Sequence, residues 1–582
     1  MNYEGDPTHQ GDLTPPPSEP TSGASPEPAP AASSLLPAPS RSWLVRYRLL
    51  LVSAAGAVAV GAVAVAALLL LGQANPSIEK MVPATHDVMV IANLNPSLAQ
   101  KVNLLRAVHS FPDTRTDAAI SSKLDAAFKD VGLSFSTDVQ PWLGGEVGAS
   151  GTMNLDSGAD SPLAVFATSR DDAKAKAALA TFRSGTVGKK YSWHDETYNG
   201  IGIASGTPSV TSVKPVAYSY VDHVVIVASS SAMIQAIIDT DQGRTVRLVD
   251  TSDFKATMRL LPSDRVGMAY IAGKSLVAGV KKQMAKPSTL GLPALKTVDD
   301  LNALQGIGGA LSATGTGVAF DLAVKLDASK LSPATRQAFV AVGHPDAVLR
   351  WIPKTSDGFL AIANVDKSIK SLLDQYGTDP TVKAGTDGVG LTGPTGILPH
   401  LTGDLGLEVE LGNNSIPSGA LLIGTNDAAA MNAFFGKLLV LAAQTSQQTP
   451  GAGITRTNYR GTVITSWTST VPGLTPSYAA LGGMGILASN PAEVKAVIDA
   501  HVSGSNITAD ETYQAVSAAS LARPAGIMYL NVARVVNAVE KLAASSAVDT
   551  KAVAYLAPLK AVMLTGTSQI GDARERFFVA IK

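Results

Sequence analysis

Cysteine is absent from all 582 residues. That excludes disulfides, a lipid-modified cysteine, thiolate zinc sites, iron–sulfur clusters and thiol catalysis. Aromatic residues make up only 5% of a chain that is 46% hydrophobic, so its cores must be built mainly from Ala, Val, Leu and Ile. An excess of one charge is missing too. The chain balances 46 basic residues against 47 acidic ones, and with no basic field to hold a phosphate backbone, nucleic acid is not expected as a partner. Histidine is scarce. The eight present show no HxxxH, HExxH or HxH spacing that would build a metal site.

Charge is also missing from residues 49–71, which read LLLVSAAGAVAVGAVAVAALLLL. A helix of 23 residues rises about 35 Å, enough to cross a hydrocarbon core of about 30 Å. Arg41, Arg46 and Arg48 precede it, and a basic flank stays in the cytoplasm. The expected topology is a single-pass anchor in the cell membrane, with the N-terminus cytoplasmic and the bulk of the chain extracytoplasmic. Gly72-Gln73-Ala74 offers small residues for a signal peptidase. The apolar run is nevertheless longer than a signal core of about 7–15 residues, which favours an uncleaved anchor. Ser53, Ala57 and Gly61 form a small-residue row on that helix, as an Ala/Gly-rich segment does without selection.

Residues 1–40 hold ten prolines, five acidic residues and no Lys or Arg. Such a segment cannot offset its ordering entropy and is expected to be a disordered cytoplasmic tail. Residues 41–48 form a basic juxtamembrane stretch and 72–81 a linker.

Beyond the anchor the sequence repeats itself. Val82-Pro83-Ala84-Thr85-His86-Asp87 returns as Ile352-Pro353-Lys354-Thr355-Ser356-Asp357. Pro141-Trp142-Leu143-Gly144-Gly145-Glu146 returns as Pro399-His400-Leu401-Thr402-Gly403-Asp404. Tyr198-Asn199-Gly200 pairs with Tyr459-Arg460-Gly461, Ala228-Ser229 with Ala488-Ser489, and Ile238-Asp239 with Ile498-Asp499. Conserved order and spacing predict a duplicated domain, 82–328 and 352–582, joined by a linker at 329–351. In each copy β-branched runs alternate with Ala-rich helical stretches. Asn199-Gly200 reads as a tight hairpin corner, Val224–Ala228 as a buried strand, and 309–326 and 561–581 as closing hairpins. The predicted fold class is α+β: two tandem repeats, each a mostly antiparallel sheet with helices on one face, preceded by the disordered tail and one transmembrane helix.

The Pro-Thr-x-Asp opening before a strand resembles the bacterial domain of unknown function 3352 family. So do the Pro141-Trp142-Leu143-Gly144-Gly145-Glu146 block, the Tyr-x-Gly hairpin and the Tyr218…Ala228-Ser229 strand. The resemblance covers most of 80–330 and, more weakly, 350–582. It implies an exported, often membrane-anchored α+β protein and assigns no chemistry. His400 stands where the first copy has Trp142, a departure from the block.

Several motifs invite chemical readings. His194-Asp195-Glu196 is the densest polar cluster, but neighbours on a strand alternate faces, and the second copy has Thr455-Arg456-Thr457 there. Gly483-Met484-Gly485-Ile486-Leu487-Ala488 fits a dinucleotide fingerprint, yet its glycines precede a strand instead of opening a helix. Ser77-Ile78-Glu79-Lys80 matches S-x-x-K but lies just outside the anchor, and no G-x-S-x-G elbow or P-loop occurs. Trp142, between Pro141 and Leu143 at a strand entrance, reads as packing over the end of the core, with sugar stacking or membrane contact as the alternative. No catalytic, cofactor-binding or metal residue is assigned, and no cofactor. The expected function is a binding or scaffolding module of the bacterial cell envelope, held by residues 49–71 and meeting an envelope protein, polymer or lipid. Two other readings stay open: a lipid or small-molecule carrier with an apolar cavity, and an enzyme with a site between the repeats.

Overall fold

The computed structural model describes residues 78–582 except 130–131, 155–160, 211–212, 285–297, 341–342, 412–416, 446–452, 470, 472 and 544–549. The tail 1–40, the flank 41–48, the predicted span 49–71 and linker residues 72–77 lie outside the described residues. Among the described residues no helix is long and apolar enough to cross a membrane.

The strands of the first half are β1 (Val88–Asn93), β2 (Leu143–Gly151), β3 (Leu163–Ser169), β4 (Tyr191–Tyr198) and β5 (Ile201–Pro208), then β6 (Val216–Val221), β7 (Val224–Ala228), β8 (Gly267–Ala272), β9 (Leu304–Thr314) and β10 (Gly317–Leu326). Those of the second are β11 (Gly358–Ile362), β12 (Leu401–Glu410), β13 (Ser418–Thr425), β14 (Ile454–Tyr459) and β15 (Thr462–Trp467), then β16 (Ser477–Leu481), β17 (Met484–Ala488), β18 (Gly526–Leu530), β19 (Leu559–Gln569) and β20 (Asp572–Ile581). In the first half the spatial order is 4-5-6-7-3-2-1-8-9-10. In the second it is 14-15-16-17-13-12-11-18-19-20. Local devices recur as well. Pro83 bridges to Arg247 and Pro353 to Asn506. The hairpin corners Asn199-Gly200 and Arg460-Gly461 both run at positive φ, 50° then 82° and 50° then 81°. The Tyr198 hydroxyl donates to Asp239 at 2.9 Å, and the Tyr459 hydroxyl donates to Asp499 at 2.9 Å and 2.8 Å.

Two parts of the predicted fold class are corrected. The first is the division into two sheets. β10 pairs with β20 in unbroken antiparallel register from Gly317–Ala580 to Lys325–Asp572, so the twenty described strands form one sheet. The second is the placement of helices on one face. Along β7, Val224 and Ile226 join the core beneath helices Ser231–Asp241 and Ser252–Met258, while Val225 and Val227 pack with helix Asp172–Ser184 on the other side. A strand that is apolar at every position asks for cover on both faces, and Val-Val-Ile-Val-Ala receives it. In the second half, helix Pro491–Ser503 covers the front face through Val494, Val497 and Ile498, and helix Ala428–Thr445 covers the back through Met431 and Phe435.

The seam between β10 and β20 carries charge. Asp321 and Arg576 are cross-strand partners, with Arg576 Nε 2.7 Å from Asp321 Oδ1 and Nη2 3.1 Å from Oδ2. Lys325 and Asp572, also directly opposed, meet at 2.5 Å. The Asp321 side chain is only 5% exposed, so the two-point contact stands in for the water it has lost. Asp321→Ala would leave the half-covered Arg576 guanidinium without its carboxylate. A loss of about 3 kcal/mol is expected, the lower end of the range for breaking a buried pair. Asp321→Leu combined with Arg576→Met should recover most of that loss, because two apolar groups need no partner. Urea unfolding of the three proteins measures both effects, and a single variant as stable as the parent contradicts this role for the pair.

Candidate functional site

The motifs singled out in the sequence do not converge. On β4, Asp195 is held by Arg183 at 2.8 Å, Glu196 accepts from Gln235 at 3.3 Å, and His194 is exposed. Gly482 and Gly483 form the corner between β16 and β17 at φ 56° and 88°, and the helix that follows opens only at Pro491, capped by Asn490. The corresponding corner of the first half uses Asp222 and His223, both at positive φ. Trp142 is buried with Leu94, Phe135 and Val139, and its Nε1 donates to the Asp138 carbonyl at 2.6 Å. That leaves the ring no free face for a sugar. Ser53, Ala57, Gly61 and Ser77 lie outside the described residues.

Two other groupings stand out, and both belong mainly to the second half. The first is a pair of buried carboxyl groups. Glu408 on β12 and Glu493 in the first turn of helix Pro491–Ser503 are both buried, and Oε1 of each has no hydrogen-bond partner among the described residues. Ser356 donates to the other Glu408 oxygen at 3.0 Å. Burial, with the neighbouring Glu493 second, pushes the Glu408 carboxyl up to about 9. Glu408 therefore holds a proton at neutral pH. The first half places His86 and Ser150 at the matching positions, 2.7 Å apart, and burial pushes that imidazole down to about 4. Met233 replaces Glu493 at the third position of the corresponding helix. Each half thus fills the same polar slot with groups of different chemistry.

Such a raised carboxyl sets the direction of the pH effect. Native Glu408 keeps a proton that the unfolded chain releases above about pH 4.5, so the stability from this site is complete below that value and is lost as pH rises to about 9. Glu408→Gln, neutral throughout, should flatten the fall in melting temperature between about pH 5 and pH 9. Parallel curves for variant and parent would contradict the proton on Glu408.

The second grouping is a basic cavity at the end of the sheet beside the seam. β18 starts at Gly526, opposite Gly566, but β19 runs on through Thr567, Ser568 and Gln569 with only β20 beside it. A loop that follows helix Glu511–Ala518 crosses this end. It is pinned by Leu521 N–H to Thr565 Oγ1 at 3.3 Å and by Arg576 Nη1 to the Ala519 carbonyl at 3.1 Å. At Arg523 the loop turns through φ 49°, an uncommon conformation for a non-glycine residue, just before the buried Pro524. The linker closes the other side. Gly343 packs so near Asn364 that a Cβ would stand 2.5 Å from its Nδ2, and this brings His344 to the rim. The result is a cavity of about 350 Å³ lined by His344, Arg523, Thr567, Gln569, Asp572 and Arg574.

Its electrostatics are lopsided. Asp572 is neutralised by Lys325, and Asp346, next to the cavity, lies 2.9 Å from His344. The guanidinium groups of Arg523 and Arg574 have no ion-pair or hydrogen-bond partner among the described residues. Arg574 faces Ala323 across the seam, whereas its neighbours on that face, Asp572 and Arg576, each meet an opposite charge. Two free guanidiniums beside hydroxyl groups suit an anion. Among the described residues no cluster of three metal-ligating side chains occurs. Sequence reading missed this site because its residues come from a loop, a strand and a linker. A faint signal was the alternation Asp572, Arg574, Arg576, which puts three charges on one face of a strand.

Fold and site define a protein built on one long antiparallel sheet, with a basic cavity at the seam between its halves. The chain belongs to the DUF3352 family, described as a protein of unknown function, whose model matches residues 47–575. No curated protein sequence matches it. Among solved structures, crystal form IV of TP0453 shares 13% identity over 44% of this chain and 81% of its own, at a TM-score of 0.23. Crystal form I of TP0453 shares 12% over 46% and 84%, also at 0.23. Likeness of that order carries no argument about fold or role.

Proposed function

We propose that this protein is a membrane-anchored, extracytoplasmic binding module of the cell envelope that takes an anionic group between Arg523 and Arg574. The observation behind this reading is the pair of unpartnered guanidiniums on one cavity of about 350 Å³, within the size range of ordinary ligand sites. The sequence adds the location. Residues 49–71 supply the anchor. A carrier with an enclosed apolar cavity has less support. The cavity between helix Val365–Tyr376 and the back of β12 and β13 holds only about 140 Å³.

Titration of the full-length chain with glycerol phosphate tests the cavity. Arg523→Gln with Arg574→Gln should weaken binding by roughly a hundredfold, about tenfold for each charge-assisted hydrogen bond removed. Equal binding by parent and double variant would contradict the site. The topology is tested by fusing an enzyme active only outside the cytoplasm. Activity is expected for a fusion after residue 100 and none after residue 40, and the reverse pattern overturns the envelope location.

A further inference from the structure

The helix and loop that lead into β8 are built again before β18. Arg247 and Asn506 both lie in isolated bridges, helices Ser252–Met258 and Glu511–Ala518 follow them, and Gly267 opens β8 beside β1 as Gly526 opens β18 beside β11. The two segments are equally long, so their residues correspond one to one. The chemistry has diverged. Lys255, Arg259 and Arg265 answer to Gln514, Ala518 and Pro524, while Met258 and Leu261 answer to Ser517 and Ser520. The second half therefore makes the same helix and loop without the three cations and without the two apolar side chains. The backbone does not require them.

In the first half these residues line a cavity of about 760 Å³, more than twice the volume of the Arg523–Arg574 cavity. Phe254, Met258 and Leu261 form its apolar floor and belong to the front core. Arg265 reaches the same face, because its Nη2 lies 3.2 Å from the sulfur of Met268, which packs on that core. Arg265 is half-buried, and its other contact is the Pro262 carbonyl at 3.1 Å. Asp264, next to it, is turned to helix Leu98–His109 and accepts from Ser97 at 3.1 Å. Burial pushes the Arg265 guanidinium below its ordinary value, and Glu79 offsets this without forming an ion pair among the described residues. Arg259 is exposed and donates through Nε to the Lys255 carbonyl at 3.1 Å, with no carboxylate partner among the described residues. Lys255 alone is paired, to Asp250 at 3.2 Å. A guanidinium drawn partly out of water without an acid is costly, and an anion in the cavity would relieve that cost.

We propose that this cavity is a second binding site, independent of Arg523 and Arg574, for a single-chain anionic amphiphile whose head meets Arg259 and Arg265 and whose acyl chain lies on Phe254, Met258 and Leu261. The volume is within the ordinary range for a small ligand. A purely polar anion would leave the floor uncovered, and a neutral chain would leave Arg265 without a partner.

Octanoate is the probe, titrated by calorimetry into the full-length chain in phosphatidylcholine nanodiscs, with empty nanodiscs as the blank. It should bind roughly a hundredfold tighter than butanoate, the gain from burying four more methylenes. It should bind at least about tenfold tighter than octanol, which keeps the chain and lacks the charge. Arg259→Gln, a change at an exposed side chain that leaves the fold intact, should weaken octanoate about tenfold and octanol not at all. Arg265→Gln should weaken octanoate at least as much. Arg523→Gln with Arg574→Gln should leave octanoate binding unchanged, which separates this site from the other. Equal affinity for octanoate and octanol would remove the anion from the site, and equal affinity for octanoate and butanoate would remove the chain. Either result overturns the proposal, as does the absence of octanoate binding or an Arg259→Gln variant that binds octanoate like the parent.

Discussion

The Asp321–Arg576 ion pair joins what the sequence presents as two separate units. A buried carboxylate is costly unless it is paired, and here the partner reaches across from the last strand of the chain. The same guanidinium holds the Ala519 carbonyl, and through it the loop that carries Arg523. One arginine thus links β10, β20 and the wall of the basic cavity. Without the seam, both β10 and β20 would be edge strands with an unpaired row of backbone groups, a known route to aggregation. With it, those edges satisfy each other and the cavity gains a fixed rim.

The seam also carries an apolar row across the back of the sheet, with Leu407, Leu360, Met528, Leu564, Phe577 and Phe320 directly opposed on adjacent strands. Phe577 and Phe320 are opposed across β20 and β10, so the row passes from one half to the other only because the sheet does.

Much of the architecture was legible in the sequence. The matched blocks fall at corresponding places: Pro83 and Pro353 in isolated bridges, Tyr198 and Tyr459 on helix aspartates, and Asn199 and Arg460 at positive φ. The unbroken apolar run Val224–Ala228 held the signal for cover on both faces, which the one-face prediction passed over. The seam left a subtler trace. Asp321 and Lys325 stand four apart on one strand, and Asp572 and Arg576 four apart on the other, with the charge order that antiparallel pairing brings together. Such a pattern becomes informative only once both segments are placed at sheet edges. The cavity left no usable trace. Arg523 owes its position to a left-handed loop residue and Arg574 to a register that leaves it facing Ala323, and neither fact is local in sequence.

The central claim is that one sheet runs through both halves and builds the site at their junction. Hydrogen exchange of the native protein tests this most directly. Backbone amides of β10 and β20, from Gly317 to Lys325 and from Asp572 to Ala580, should be protected as strongly as those of β1 and β11, and all should open together in one global transition. Exchange of the β10 and β20 amides at loop rates, or separate opening of the two halves, would contradict it.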